Sequence, residues 1–214
     1  MNGPAAIVSK SFVNVTDPRV DRGHNHDLLE MIFLALTATI CGANTWADVE
    51  RFANGKLKWF RRYIKLEYGV PSHDTFGRVF SRLDTGEFLA AMHHWVDQFA
   101  GSLRGKGIAI DGKVLRGSFD RAAGQSPLHT ITAFATETRL VIRQMSVDDK
   151  SNEIPAVPEL LSLMDVEGAV ITLDAMHCQK ETATAIRDKK ADYILTVKGK
   201  HQKLAEAIGQ RFVD

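Results

Sequence analysis

The spacing of apolar residues changes near Gly101, and this change divides the chain into two parts. Before it, apolar residues recur at every third or fourth position, which is the period of an amphipathic helix. After it, short runs rich in valine, isoleucine and threonine follow one another, which is typical of strands. The chain has 214 residues, enough to bury two small cores. The sequence therefore predicts a helical module over residues 1–103 and an α/β domain over residues 104–214.

The first part is predicted to contain four or five helices. One begins near Asn25, and the last covers residues 85–99. Between them, one helix begins after Asn44 or Thr45 and another begins after Ser72. These three residues carry side-chain oxygens, which accept hydrogen bonds from the free backbone N–H groups of a helix N-terminus. The pattern predicts an all-α module.

Three consecutive strands open the second part, and helices then alternate with strands. The predicted strands are residues 108–110, 129–135, 140–147, 169–173 and 193–197, and the predicted helices after them include residues 175–189 and 202–212. A short turn joins the second and third strands, so these strands are antiparallel, whereas a strand reached through a long crossover is parallel to its partner. A mixed sheet with flanking helices resembles the ribonuclease H-like arrangement.

Two of the apolar strands are followed directly by an aspartate. Residues 107–110 precede Asp111, and residues 169–173 precede Asp174. Functional groups of an α/β sheet gather at the carboxyl ends of its strands, and neighbouring strands lie about 4.8 Å apart. Two carboxylates in this position suit Mg²⁺ or Mn²⁺, which are hard ions that also bind phosphate oxygens. The pair therefore predicts hydrolysis or transfer of a phosphodiester.

Each aspartate also has a purely structural interpretation. Asp111 and Gly112 form a common turn dipeptide. Asp174 is placed to cap a helix that begins at Ala175, with His177 in the first turn near the site. Taken singly, each acid fits a turn or a cap as well as a metal ligand. The predicted topology makes the two strands neighbours, and this favours the metal site.

A basic segment, defined as residues 51–65, carries six cations and no acid. The cations are Arg51, Lys56, Lys58, Arg61, Arg62 and Lys65, and the aromatic residues between them are Phe52, Trp59, Phe60 and Tyr63. Clustered cations neutralise a nucleic-acid backbone, and aromatic rings stack on bases. The formal net charge is only +1, so any binding to nucleic acid depends on such a local patch. The segment predicts contact with DNA, and a solvated helix surface is the alternative.

Cysteine spacing and hydropathy exclude several other classes of protein. Cys41 and Cys178 lie far apart without paired spacing, which argues against a disulfide framework or a zinc knuckle. The N-terminus has no signal-peptide pattern, and the longest apolar stretch, residues 31–43, is shorter than the roughly 20 residues that span a bilayer. We expect a cytoplasmic protein that is associated with the nucleoid when it binds DNA.

Six motifs occur in order along nearly the whole chain. They are GANTW at 42–46, GVPSHDTFGRVF at 69–80, IDGKVLRGS at 110–118, KSNEI at 150–154, LDAMHCQK at 173–180 and VKG at 197–199. Together they resemble the insertion-sequence transposases known as H-repeat-associated proteins. The first two motifs resemble the helical domain that accompanies the catalytic domain of these proteins, and the other four resemble the catalytic domain.

The resemblance implies a DDE transposase, in which two aspartates and a glutamate hold two Mg²⁺ or Mn²⁺ ions for cleavage and transfer of DNA strands. Asp111 matches the first acid of the family, and Asp174 matches the second. The implied DNA contacts in this part are Lys113, Arg116 and Lys198. The implied partners are the terminal repeats of the element, target DNA and, in an oligomer, a second copy or a full-length transposase.

The third acid of the family is not matched. Its glutamate belongs to a motif of the form Tyr-x-x-Arg-x-x-x-Glu, which this chain lacks. Glu206 is a weaker candidate, separated from Asp174 by 31 residues, and Asp214 by 39. We therefore expect a C-terminally incomplete, inactive copy of a transposase. The alternatives are a DNA-binding remnant that inhibits the full-length enzyme, and a metal-dependent nuclease that uses Glu206.

Overall fold

The computed structural model describes residues 1–20, 25–115, 127–147 and 153–212. The chain divides into two units, Met1–Trp95 and Val96–Asp214, each with its own hydrophobic core. Within the described ranges no helix combines the length and the apolar character needed to cross a membrane.

Helices make up the described secondary structure of the first unit. They are α1 (Gly3–Phe12), α2 (Leu28–Ile40), α3 (Trp46–Gly55), α4 (Leu57–Phe60), α5 (His73–Phe80) and α6 (Thr85–Ala100), of which α6 extends into the second unit. The four predicted helices are confirmed as α2, α3, α5 and α6. Helix α1 was not predicted, although Ala5, Val8 and Phe12 are buried at the spacing of a helix face.

Side-chain caps fix where α3 and α5 begin. Thr45 and Asp48 form a capping box at α3, in which the Asp48 N–H donates to Thr45 Oγ1 and the Thr45 N–H donates to the Asp48 carboxylate. At α5, the Thr75 N–H donates to Ser72 Oγ at 3.3 Å. The predicted caps at Thr45 and Ser72 are confirmed.

The second unit contains a five-stranded mixed sheet. Its strands are β1 (Gly107–Leu115), β2 (Leu128–Ala135), β3 (Leu140–Val147), β4 (Val170–Leu173) and β5 (Asp192–Leu195), and its further helices are α7 (Glu153–Ser162), α8 (Lys180–Asp188) and α9 (Gln202–Gln210). The strand order is β3-β2-β1-β4-β5. Strands β1, β2 and β3 are antiparallel, while β4 is parallel to both β1 and β5. The predicted element order and ribonuclease H-like sheet are confirmed.

The core of the second unit lies between this sheet and α7. Ile108 and Ile110 of β1 are buried, and Ile171 of β4 is buried beside them. Helix α7 packs against β2 and β3 and buries Val157 and Leu160 completely. This packing fixes β1, which contains Asp111, and β4, which ends directly before Asp174.

The structure corrects two predicted boundaries near the aspartates. Strand β1 does not end at Ile110, because β2 pairs with it along its whole length to Leu115. Asp111 is therefore a strand residue, and the interpretation of it as a turn residue is wrong. The helix predicted over residues 175–189 is also interrupted. A 3-10 turn (Ala175–His177) comes first, and the extended backbone of Gln179 precedes α8.

Candidate metal centre and nucleic-acid surface

The register of two neighbouring strands relates Asp111 to Asp174. In the parallel pair of β1 and β4, Gly107 lies opposite Val170, and each following residue of β1 lies opposite the next residue of β4. The paired register ends at Ala109 and Thr172, and extending it by two residues on each chain places Asp111 opposite Asp174. The backbone of Asp174 remains extended, with φ −74° and ψ 175°. Asp111 within β1 and Asp174 directly after β4 are therefore equivalent in register, and neighbouring strands of a sheet lie about 4.8 Å apart.

Both carboxylates point away from the buried side of the sheet. Side chains alternate along a strand, and the preceding residues Ile110 and Leu173 are buried. The side chain of Asp111 is 62% exposed, and that of Asp174 is 61% exposed. The two carboxylates lie on one accessible face of the sheet. Both remain solvated there and are open to a ligand.

A lysine lies beside the first carboxylate. Lys113 is two residues after Asp111 on β1, so both side chains project from the same face. The Lys113 Nζ lies 3.7 Å from Asp111 Oδ2, and both groups are exposed. An ammonium group here can bind a phosphate next to the carboxylate. The predicted DNA contact at Lys113 thus lies beside the candidate site.

The second carboxylate is held by the turn that follows it. The Met176 N–H donates to Asp174 Oδ1 at 3.1 Å, so the predicted capping role of Asp174 is confirmed, although it caps a 3-10 turn. The Nε2 of His177 lies 4.0 Å from the same oxygen, and His177 is buried. The sequence placed His177 near the site without a role. Its three-residue spacing from Asp174 was the signal for this contact.

In the part of the chain that the structure describes, no group of three or more His, Cys, Asp or Glu residues is arranged to hold a metal ion. Glu206 lies on α9 and is exposed, and Asp214 lies outside the described residues. Mg²⁺ is commonly held by one or two carboxylates together with water and substrate phosphates. The pair therefore fits part of the coordination shell of a divalent ion.

The cations of the basic segment lie on the surface of the first unit. All six are exposed, and Arg51 forms an ion pair with Asp48 at 3.0 Å. The other five have no acidic partner among the described residues, and they are Lys56, Lys58, Arg61, Arg62 and Lys65. Cations without an acidic partner are available to an anionic ligand. The structure therefore leaves five of the six predicted DNA contacts free for such a ligand.

The aromatic residues of the basic segment serve the core more than the surface. Phe60 is buried, and its ring lies 5.8 Å from that of Phe33 on α2. Trp59 and Tyr63 also lie against Phe33, each with ring centroids 6.4 Å away. Phe60 is thus unavailable for stacking on bases, because it anchors α4 to α2. Only Trp59 among these aromatic rings is exposed, by 37%.

Two further predicted contacts, Lys198 and Arg116, belong to the second part of the sequence. Lys198 is exposed before a second 3-10 turn (Gly199–His201), and its carbonyl accepts a hydrogen bond from the His201 N–H at 2.8 Å. Arg116 lies outside the described residues.

Two family models match the chain in succession. The model described as "DDE_Tnp_1-associated" matches residues 9–96, and the model described as "Transposase DDE domain" matches residues 103–212. The second match covers the sheet and both aspartates.

Three bacterial proteins are similar to most of this chain. The "Putative transposase YncI" of Escherichia coli (strain K12) is 40% identical over 202 residues, which are 94% of this chain and 82% of that protein. The "Putative transposase YncI" of Escherichia coli O157:H7 is 40% identical over 92% of this chain and 51% of that protein. The "H repeat-associated putative transposase YhhI" of Escherichia coli (strain K12) is 40% identical over 87% of this chain and 50% of that protein. The chain spans about half the length of the last two.

A solved structure is also similar to the chain. It is the cryo-EM structure of the piggyBac transposase synaptic complex with hairpin DNA, with a TM-score of 0.46 and 13% identity over 97% of this chain and 50% of that chain.

Proposed function

Because the chain belongs to the DDE transposase family, we propose that Asp111 and Asp174 are its metal-binding residues for the cleavage and transfer of DNA strands. The observation that carries this proposal is the register of β1 and β4, which aligns the two exposed carboxylates on one face of the sheet. The domain matched by the family model contains both residues.

Mg²⁺ or Mn²⁺ is the proposed ion, since both take oxygen ligands and bind phosphate. When bound, such an ion supplies a Lewis acid at the scissile phosphate. The residues of this chain hold and orient it. The Met176 N–H fixes Asp174 Oδ1 and leaves Oδ2 for the ion, while Lys113 lies beside Asp111 and binds a phosphate of the DNA. A complete family site is expected to hold two ions.

On its own, this chain is proposed to have little or no strand-transfer activity. The support is that no third carboxylate joins Asp111 and Asp174 among the described residues. Two carboxylates leave the ions loosely held, and a displacement of about 1 Å at a reacting centre can lower the rate about 100-fold.

The helical module over residues 1–103 is proposed to contact DNA, and residues 104–214 are proposed to form the catalytic domain. The exposed cations of the basic segment that lack an acidic partner support the first assignment. The proposed partners are the terminal repeats of the element and target DNA. A homo-oligomer or an oligomer with a full-length transposase is proposed as the assembly.

A metal-binding experiment tests the proposed site directly. Isothermal titration with Mn²⁺ should detect binding to the wild type and a loss of at least about tenfold in affinity in Asp111→Asn and Asp174→Asn, because each variant removes one anionic ligand. Asp188→Asn, which changes an exposed aspartate of α8, is the matched control. Equal Mn²⁺ affinity in all four proteins would remove the pair from the proposal.

A nicking assay on duplexes that carry the element ends separates the proposed function from its alternatives. A chain that binds DNA without catalysis gives no Mg²⁺-dependent product, and Asp111→Asn leaves its DNA affinity unchanged in the absence of metal. A nuclease gives nicked ends without joined strands and loses this activity in Glu206→Gln. Strong strand transfer by the wild type would overturn the proposed inactivity of the isolated chain.

A further inference from the structure

A surface cavity of about 360 Å³ in the first unit brings together basic side chains from separate segments. The residues with nitrogen or hydroxyl groups that line it are Arg19, Asn25, His26, Thr75, Arg78 and Arg82. Val20 and Val79 supply the apolar part of the lining. Arg78 belongs to α5, and Arg82 follows four residues later in the turn after this helix.

No acidic residue of the described chain lines this cavity. A larger neighbouring cavity of about 1040 Å³ differs in this respect, because its lining includes four carboxylates. They belong to Asp17, Asp27, Glu30 and Glu67. Among the described residues, the lining of the smaller cavity therefore includes three arginines and no carboxylate, and one of these arginines, Arg19, pairs with Asp17 outside the lining.

The two arginines of the α5 region are available to a ligand. Both are exposed. The NH2 of Arg78 donates one long hydrogen bond, 3.4 Å, to Thr75 Oγ1. The side chain of Arg82 has no hydrogen-bond or acidic partner in the ranges that the structure describes. Because both arginines line the same cavity, their planar guanidinium groups can bind one anion together.

Arg19 and His26 also line this cavity, and other residues hold their side chains in place. The Arg19 guanidinium donates to both oxygens of the Asp17 carboxylate, with distances of 2.8 and 2.6 Å, so its charge is matched and its position is set. Burial lowers the pKa of His26, and the charge of Arg19 lowers it further. A hydrogen bond between His26 and the backbone of Gly69 acts in the opposite direction and raises this pKa.

The smaller cavity is continuous with the basic segment. Arg19, Asn25 and His26 line both cavities, and the larger one is also lined by Arg61, Arg62 and Lys65 of that segment. The cations of the smaller cavity and those of residues 61–65 thus border one stretch of surface, which also carries the four carboxylates of the larger cavity. Such an extended surface suits a polymer with regularly spaced negative charges.

We propose that the cavity between Arg78, Arg82 and Arg19 is a phosphate-binding site that holds a backbone phosphate of DNA. The site extends the DNA-contacting surface of the basic segment to α5, and it rests on the proposed function of the helical module. Arginine suits this ligand because its fork of N–H groups pairs with two phosphate oxygens at once.

The test is a fluorescence anisotropy titration of the full chain with a short duplex at several salt concentrations. The double variant Arg78→Gln with Arg82→Gln should bind roughly tenfold more weakly at about 0.1 M salt, with a salt slope smaller by about 2, since two phosphate contacts are lost. The double variant Lys10→Gln with Arg211→Gln removes the same charge from exposed positions outside the cavity and should retain the wild-type slope. Arg78→Lys with Arg82→Lys should also retain most of the slope, because its charge is unchanged.

Three other results of these measurements would each contradict at least one of the proposals. If the Arg78 and Arg82 double variant binds like the wild type while neutralisation of Lys56, Lys58, Arg61 and Arg62 weakens binding, the cavity is not a DNA site but the proposed function of the module stands. If the wild type does not bind the duplex, both proposals fail. If inorganic phosphate shifts the NMR signals of Thr75 and Arg78 while the DNA slope does not depend on the arginines, the cavity holds free phosphate and the assignment to DNA is wrong.

Discussion

His177 Nε2 lies 4.0 Å from Asp174 Oδ1 across a single 3-10 turn, and this buried imidazole packs beneath an exposed carboxylate. We predict that His177 acts as a positioning residue for Asp174. Its ring fills space under the turn whose Met176 N–H holds the same oxygen. The orientation of the carboxylate and the packing of the turn are therefore coupled.

Replacing His177 should separate the packing contribution of its ring from its effect on the Asp174 carboxylate. His177→Ala leaves a cavity under the turn and should lower the free energy of unfolding by about 2 kcal/mol, as measured by urea denaturation. His177→Phe restores the volume without a ring nitrogen near Asp174. We expect it to recover most of the stability while its Mn²⁺ affinity remains below that of the wild type. Full recovery of both quantities in the phenylalanine variant would mean that His177 only fills space.

Asp111 should contribute little to stability and much to metal binding. Its contact with Lys113 is exposed, and pairs of this kind contribute about 0 to 1 kcal/mol. In a thermal-unfolding series, Mg²⁺ should raise the Tm of the wild type, because a ligand that binds only the folded state stabilises it. Asp111→Asn should match the wild type without metal and show no Mg²⁺-dependent rise. A rise of the same size in this variant would place the ion elsewhere.

Two features of the sequence predicted that the strands preceding Asp111 and Asp174 are neighbours, and the structure confirms this pairing of strands. An apolar run precedes each acid, and the order of strands makes β1 and β4 neighbours. The position of Asp111 within its strand was not predictable from the apolar run alone. Pairing with β2 extends β1 through Gly112 to Leu115, and this pairing is a tertiary interaction.

The ion pair between Arg143 and Asp97 should contribute measurably to the stability of the second unit. The Arg143 guanidinium donates to both oxygens of Asp97, at 2.7 and 2.9 Å, and to the Leu163 carbonyl at 3.0 Å. Only 13% of its side chain is exposed. Arg143→Ala should therefore lower the free energy of unfolding by about 2 to 3 kcal/mol, since hydrogen bonds to a charged group are lost in a largely buried place.

An exposed arginine pair supplies the control for this change. Arg104 contacts Glu167 at 2.6 Å, but 70% of its side chain is exposed. Arg104→Ala should cost about 0 to 1 kcal/mol in the same urea titration. If Arg143→Ala and Arg104→Ala lower the free energy of unfolding by similar amounts, burial of the guanidinium does not determine how much each ion pair contributes to stability.

The local sequence pattern did not predict helix α1 or the burial of aromatic residues in the basic segment. Asn2 makes no side-chain cap, so the start of α1 has no capping hydrogen bond of the kind found at Thr45 and Ser72. Phe60 lies among cations in the sequence, yet it is buried against Phe33. The sequence shows that aromatic residues lie among the cations, but it does not show whether they are exposed. Their exposure depends on packing against Phe33 of α2, which is distant in the sequence.

The contact between Glu50 and His73 ties α3 to α5 and should make the stability of the first unit depend on pH. The Nδ1 of His73 lies 2.7 Å from Glu50 Oε2, and the His73 N–H donates to the same oxygen at 2.8 Å. The hydrogen bond to Glu50 raises the pKa of His73, and the charge of Asp74 raises it further. The hydrogen bonds from the backbone and ring of His73 lower the pKa of Glu50.

The two shifts define the pH window of this stabilisation. Because the pKa of His73 is raised in the folded state, its contribution is fully present below its unfolded pKa of about 6.5 and is lost as the pH rises through the folded value. Because the pKa of Glu50 is lowered, its contribution is present above about pH 4.3 and is lost as the pH falls through its folded value. The Tm difference between wild type and Glu50→Gln should thus be largest between about pH 4.5 and 6.5 and should shrink at higher pH. A part of the difference persists there, since the His73 N–H still donates to the carboxylate. A Tm difference that grows from pH 6 to pH 9 would contradict the assigned direction of the His73 shift.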